Sequence, residues 1–193
     1  MATQTQLVSG LGGAIGCDLR KAQSQLVFVE FDGKLSLLNL VRTATTVSSG
    51  TTTLKGTFLF DFDSGTESVA GDPFGPPFDV FWEQQTAVLR RMTPISPAQI
   101  LNLGMVDFNS ITADTLASLT YSTNPIDGNN DATNRLVTGD VFAVLTNQGH
   151  YAKVKVLTYG YNLQIQWVTY QLSSPYVVLG TGYQEPEDVK ADA

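Results

Sequence analysis

Two aspartates one residue apart, Asp61 and Asp63, are the side chains best placed in this sequence to do chemistry. Alternate residues of a strand share a face, so the pair would present two carboxylates able to hold a hard cation or divide acid and base work. Glu30 and Glu83 would join them if their strands were neighbours, and a glycosidase needs two such carboxyls flanking its substrate. The same alternation sends Phe58, Phe60 and Phe62 to the opposite face. The expectation is therefore a half-buried strand whose aspartates lie on its solvated side.

A second set of oxygen ligands occurs at Asp127, Asn129 and Asp131, at alternate positions of the loop Asn124-Pro125-Ile126-Asp127-Gly128-Asn129-Asn130-Asp131. Calcium is the one cofactor such a loop would take. Ala132 stands at the EF-hand glycine position and Thr138 at the bidentate glutamate position, so a polar turn is the simpler reading. The single cysteine, Cys17, and single histidine, His150, do not fill a tetrahedral zinc shell. His150 sits in the turn-like run Asn147-Gln148-Gly149-His150, and no serine carries a Gly-x-Ser-x-Gly frame. No catalytic residue is assigned. Gly10, Gly12, Gly13 and Gly16 lack the Lys-Ser/Thr of a phosphate loop. Aromatic residues are the remaining resource. Tyr151, Tyr159, Tyr161 and Asn162 are the expected ligand contacts, suited to sugar stacking or protein contact, whereas Trp82 and Trp167 are expected in the core.

The bulk composition narrows the partners. Charged residues make up 15% of the chain, against about 25% in ordinary proteins, so Ser, Thr, Asn and Gln must carry the polar surface. Little like-charge repulsion then opposes self-association. A net charge of −7 with no basic cluster argues against nucleic acid and against anionic membrane surfaces. No apolar run approaches the roughly 18 residues of a membrane span. The opening residues lack the basic and apolar regions of a secretory signal, which points to the cytoplasm or to release by another route.

The elements that would position these residues are strands. Leu26 to Phe31, Asp32-Gly33 and Lys34 to Val41 read as a hairpin with a type I′ turn. The Thr/Ser-rich run 43–53 reads as an edge strand, Leu54 to Asp63 as a strand, and 64–77 as a Gly/Pro loop. Phe78 to Glu83 and Thr86 to Met92 pair next. Ser96-Pro97 predicts a short helix ending near Gly104, and Thr112 caps another through Leu119. Asp140 to Leu172 reads as a three-stranded meander with one wet and one dry face. The expected fold is all-β and antiparallel, built from repeated hairpins with two short covering helices. It spans 1–172 as one domain, and Glu185, Glu187, Asp188 and Asp192 mark an acidic tail over 173–193.

The hairpins look alike. Phe28-Val29-Glu30 with Leu35 matches Phe81-Trp82-Glu83 with Val88, and Asp140 to Val156 is a looser copy. Ala14-Ile15-Gly16-Cys17-Asp18, Leu26 to Glu30, Gly33-Lys34-Leu35-Ser36 and Leu40 together resemble one blade of a YWTD- or NHL-type β-propeller, over residues 13–42. Glu30 stands where that family prefers Asp, and residues 78–92 are a weaker echo. The resemblance implies blade-like hairpins and a binding role, with catalysis only in some members. The reading favoured is a non-enzymatic binding or self-assembling β module whose partners are itself, as homo-oligomer or filament, and a glycan in a lectin-like form. The alternatives are a carboxylate-dependent carbohydrate-active enzyme and a β-pore-forming toxin.

Overall fold

The computed structural model describes residues 26–31, 34–86, 89–128, 136–174 and 176–179. It divides into two units, one comprising Met1–Thr43 with Ser174–Ala193 and the other Ala44–Ser173.

In the first unit the described residues form a three-stranded antiparallel sheet of β1 (Leu26–Phe31), β2 (Lys34–Val41) and β13 (Tyr176–Leu179), in the order β1-β2-β13. Phe31 pairs with Lys34, so two residues separate the strands, as a hairpin with a two-residue turn requires. Asp32 and Gly33 themselves lie outside the described residues, as do Cys17, the glycines before it and the acidic tail beyond Leu179.

The second unit holds two five-stranded antiparallel sheets. The first contains β3 (Ala44–Leu54), β8 (Gln99–Gly104), β10 (Val141–Leu145), β11 (Tyr151–Thr158) and β12 (Leu163–Leu172), in the order β3-β12-β11-β10-β8. The second contains β4 (Leu59–Asp61), β5 (Thr66–Glu67), β6 (Val80–Gln84), β7 (Arg90–Pro94) and β9 (Ile126–Asp127), in the order β5-β4-β6-β7-β9. The fold is all-β, with very little helix.

One core joins the sheets. Phe60, Phe62, Val80, Trp82, Met92 and Ile126 of the second sheet and its turns pack with Ile100, Phe142, Val144, Val154, Ile165 and Trp167 of the first. The alternation along β12 explains its half: Leu163, Ile165, Trp167 and Thr169 are buried while Gln164 is exposed, the period of two that a strand imposes. Phe60 meets Phe62 and Trp167 edge to face, with ring centroids 5.0 and 5.2 Å apart, and each such pair adds about 1 kcal/mol beyond burial.

The outer face of the meander is not simply wet. A 3₁₀ turn at Phe108–Ser110 and helix α1 (Ala113–Ala117) lay Phe108, Ile111 and Leu116 over Val141 and Ala143, so β10 is buried on both sides. Thr112 caps α1 by accepting from the Thr115 amide, as its sequence position implies. The segment 97–104 is not a helix. After a turn closed by Ala98 N–H donating to Ile95 O, Gln99–Gly104 pairs with β10 and buries Ile100. The hydrogen bonds and core contact of a neighbouring strand outweigh a capping signal that fixes at most one turn.

The three look-alike hairpins all form as antiparallel pairs, β1 with β2, β6 with β7 and β10 with β11. Each belongs to a different sheet.

Candidate functional site

The aspartates of the sequence pattern are buried. Asp61 is 3% exposed and Asp63 8%, which corrects the expectation of a solvated face. Strand β4 is short and covered on both sides: Phe60 packs in the core, Leu59 packs against Phe78 and Ile95 on the other side, and His150 from the turn between β10 and β11 meets Asp63. Alternation along one strand carries no information about a loop from another sheet.

Asp61 ends β4, and residues 62–65 turn the chain into β5. Gly65 takes φ +71°, a conformation glycine adopts without strain, and its amide donates to Asp61 O at 2.9 Å. The Asp61 carboxylate ties the turn from inside, accepting from the amides of Asp63 and Ser64 at 2.8 and 3.4 Å and from Ser64 Oγ at 2.6 Å. Phe62 O accepts from the hydroxyls of Ser48 and Thr169, and Trp167 Nε1 donates to Ser48 Oγ at 3.0 Å. These bonds anchor the turn to β3 and β12.

Asp79, just before β6, is fully buried. Its Oδ2 accepts from the Phe62 amide at 2.8 Å and its Oδ1 from the Asn147 amide at 2.7 Å. Asn147 Nδ2 donates back to Phe78 O. Asp79 thus bridges the β4–β5 turn to the β10–β11 turn, one from each sheet. Burial pushes its carboxyl up to about 7. The two amides oppose that rise, while the neighbouring charges of Asp63 and Asp61 add to it.

Asp63 completes the group. Its Oδ1 lies 2.8 Å from His150 Nδ1, and the Asp63 side chain is 3% exposed. With the carboxylate ionised, Nδ1 must carry the proton, since a carboxylate only accepts. Asp63 Oδ2 is buried without a hydrogen-bond partner. Asp61, Asp63 and Asp79 each bring an oxygen within 4.8 Å of the others, and no Lys or Arg forms an ion pair with them among the described residues. The Ser64 hydroxyl is taken by Asp61 and Thr66. The arrangement is a buried, oxygen-rich cluster of carboxylates where the β4–β5 turn, Asp79 and the β10–β11 turn meet.

Two members, Asp79 and Asn147, have no signal in the sequence. Each precedes or ends a strand as an ordinary turn residue would, and only the fold brings them together. His150 is in its expected turn, but the Asp63 that it meets is remote in sequence.

The other expected residues lie elsewhere. Tyr159, Tyr161 and Asn162 occupy the turn between β11 and β12. Tyr159 stands edge to face on Trp82 at 5.8 Å, beneath the Arg90 guanidinium. Tyr161 is 54% exposed and lies over Gly56, where an added Cβ would meet its ring at 2.7 Å. Asn162 Oδ1 accepts from the Gly56 amide. Tyr151 is not with them: it begins β11, packs against Tyr121 and belongs to the outer layer. Trp82 and Trp167 are both core. Asp127 pairs with Arg91 in the sheet, while Asn129 and Asp131 lie outside the described residues. Glu83 is bound by Arg91 Nε at 2.6 Å, and that hydrogen bond holds its carboxyl below the usual range despite burial. Glu83 lies four residues along the chain from Asp79 and is outside the acidic group. Only the strand backbone of Glu30 is described.

No protein-family model matches this chain, and neither a curated protein nor a solved structure does.

Proposed function

We propose that this chain is a self-assembling β module in which β3 of one copy pairs with β3 of another. One observation carries the reading. Strand β3 is 11 residues long, has β12 on one side and, among the described residues, no strand on the other. An edge strand offers unpaired amides and carbonyls to any incoming strand. Proteins usually blunt such an edge with Lys, Pro, a short strand or a bulge. From Ala44 to Leu54 there is no charged residue and no proline. The only irregularity is a register shift opposite Thr169/Tyr170 that sets Val47 out of step. Ser48 to Leu54 then run in unbroken register. Their outward face, Ser49, Thr51 and Thr53, is exposed and uncharged, so two antiparallel copies would meet without repulsion. Such self-pairing is two-fold symmetric and closes as a dimer.

Hydrogen exchange tests this at the strand itself. The β3 amides that point away from β12 should exchange fast in dilute protein and become protected as concentration rises. Protection that does not change with concentration overturns the reading. A glycan partner would use Tyr161, the exposed ring of the three expected tyrosines, and a glycan array with Tyr161→Ala measures that separately.

A further inference from the structure

We infer that Asp61, Asp63 and Asp79 form a binding site for one hard divalent cation, Ca²⁺ by preference. The site is independent of self-assembly, since none of its ligands lies on β3.

Three features carry the assignment. First, an oxygen from each carboxylate lies within 4.8 Å of the other two. Oxygens bound to one Ca²⁺ at about 2.3–2.6 Å stand up to roughly 5 Å apart across the ion, so pairwise separations of this size match ligands of one ion. Second, Asp63 Oδ2 is buried with no partner, on a side chain whose other oxygen is already held by His150. Removing a carboxylate oxygen from water without replacing its hydrogen bonds costs several kcal/mol. An orphaned anionic oxygen beside two other carboxylates therefore calls for a cation. Third, electron pairs remain. A carboxylate offers about four acceptor sites. Asp61 accepts three hydrogen bonds, Asp79 two and Asp63 one, so each retains capacity for a metal.

The chemistry of the donors sets the ion class. All three are hard oxygens, which excludes thiolate-seeking metals. The rigid anchoring of Asp61 and Asp79 by backbone amides leaves ligand directions that a flexible Ca²⁺ shell tolerates better than the strict octahedron of Mg²⁺. His150 acts behind the ligand by orienting Asp63, as second partners of metal ligands commonly do.

Trp167 provides the readout. A Cβ added at Gly65 in the site's turn would lie 2.8 Å from its ring, close enough for the indole to sensitise a bound lanthanide. The full chain, stripped with a chelator, is titrated with Tb³⁺ under tryptophan excitation. The expected result is green emission saturating at one equivalent and displaced by Ca²⁺, with a higher Tm in Ca²⁺ than in chelator. Asp63→Asn should weaken binding at least about tenfold, while Asp114→Asn, at an exposed position on α1, should leave it unchanged. Absence of sensitised emission and of a Tm shift at millimolar Ca²⁺ in the unsubstituted protein overturns the proposal. So does binding that Asp63→Asn leaves intact. If Asp63→Asn does not fold, Trp167→Phe decides: calorimetric binding should persist while emission falls severalfold, Trp82 being the other donor in the core, and emission that stays at the parental level overturns the placement beside Trp167.

Discussion

At the residue scale the acidic group is the most consequential feature, because it places three carboxylates where water cannot solvate them. Asp79 makes this measurable. Its folded-state value of about 7 stands above the ordinary 3.8, so protons bind the folded state more tightly than the unfolded one. Below about pH 4 both states are protonated and burial costs nothing. Between about pH 4 and 7 the unfolded carboxyl ionises while the folded one keeps its proton, so stability falls by a few kcal/mol over that window and levels off once the folded carboxyl ionises. Asp79→Asn removes this dependence. In chelator, the variant should be less stable than the parent at pH 5, because one amide that donated to Asp79 loses its acceptor, and the deficit should shrink or reverse by pH 8. Urea unfolding at the two pH values measures it, and parallel losses would show that Asp79 does not titrate there. Glycines give a second residue-scale contrast. At Gly128 an added Cβ lies 2.8 Å from Trp82 and 3.1 Å from the Arg90 carbonyl, and a backbone atom cannot swing away. Gly128→Ala should cost about 1–3 kcal/mol. At Gly56 the atoms nearest an added Cβ belong to the exposed Tyr161 ring, which can move, so the loss for Gly56→Ala should stay below about 1 kcal/mol in the same urea assay.

At the scale of elements, Lys153 shows how the outer layer is held. It projects from β11 beneath the 3₁₀ turn, donating to Phe108 O and Ile111 O at 2.9 and 2.8 Å, with Nζ 4.6 Å from the Phe108 ring. Burial pushes its amine below the usual lysine range, partly countered by Asp107. Lys153→Met keeps the stem but leaves two carbonyls without a donor. A loss of about 2 kcal/mol is expected, with exposure of the Phe108 segment to proteolysis. This layer was hidden in the sequence, because Lys153 alternates with Ala152 and Val154 as an outward residue should. The strands themselves were legible wherever period two was strong, as in Leu163-Gln164-Ile165-Gln166-Trp167. The helix expected at 97–104 failed because Ser96-Pro97 resembles a cap whether or not a helix follows, and only Ile100 in the core distinguishes the two. Asp61 and Asp63 could be identified as a pair. Their burial, and their partners Asp79 and His150, depend on two turns that meet only after both sheets form.

At the scale of the whole molecule, low charge and a long bare edge point the same way. The 15% charged content seen in composition becomes, in the fold, an 11-residue strand that edges its sheet among the described residues with a bulge at Val47 but no charge or proline. A single lysine on its exposed face should supply the protecting charge. Thr51→Lys is expected to shift association by at least about tenfold towards the monomer, without lowering Tm measured at low protein concentration, because Thr51 faces solvent. Sedimentation velocity of the variant beside the parent reads the difference. The most direct measurement of self-assembly is light scattering of the unsubstituted chain over a wide concentration series. The mass should climb from the 20.8 kDa monomer to at least the dimer. A mass that stays at 20.8 kDa at every concentration would contradict self-assembly.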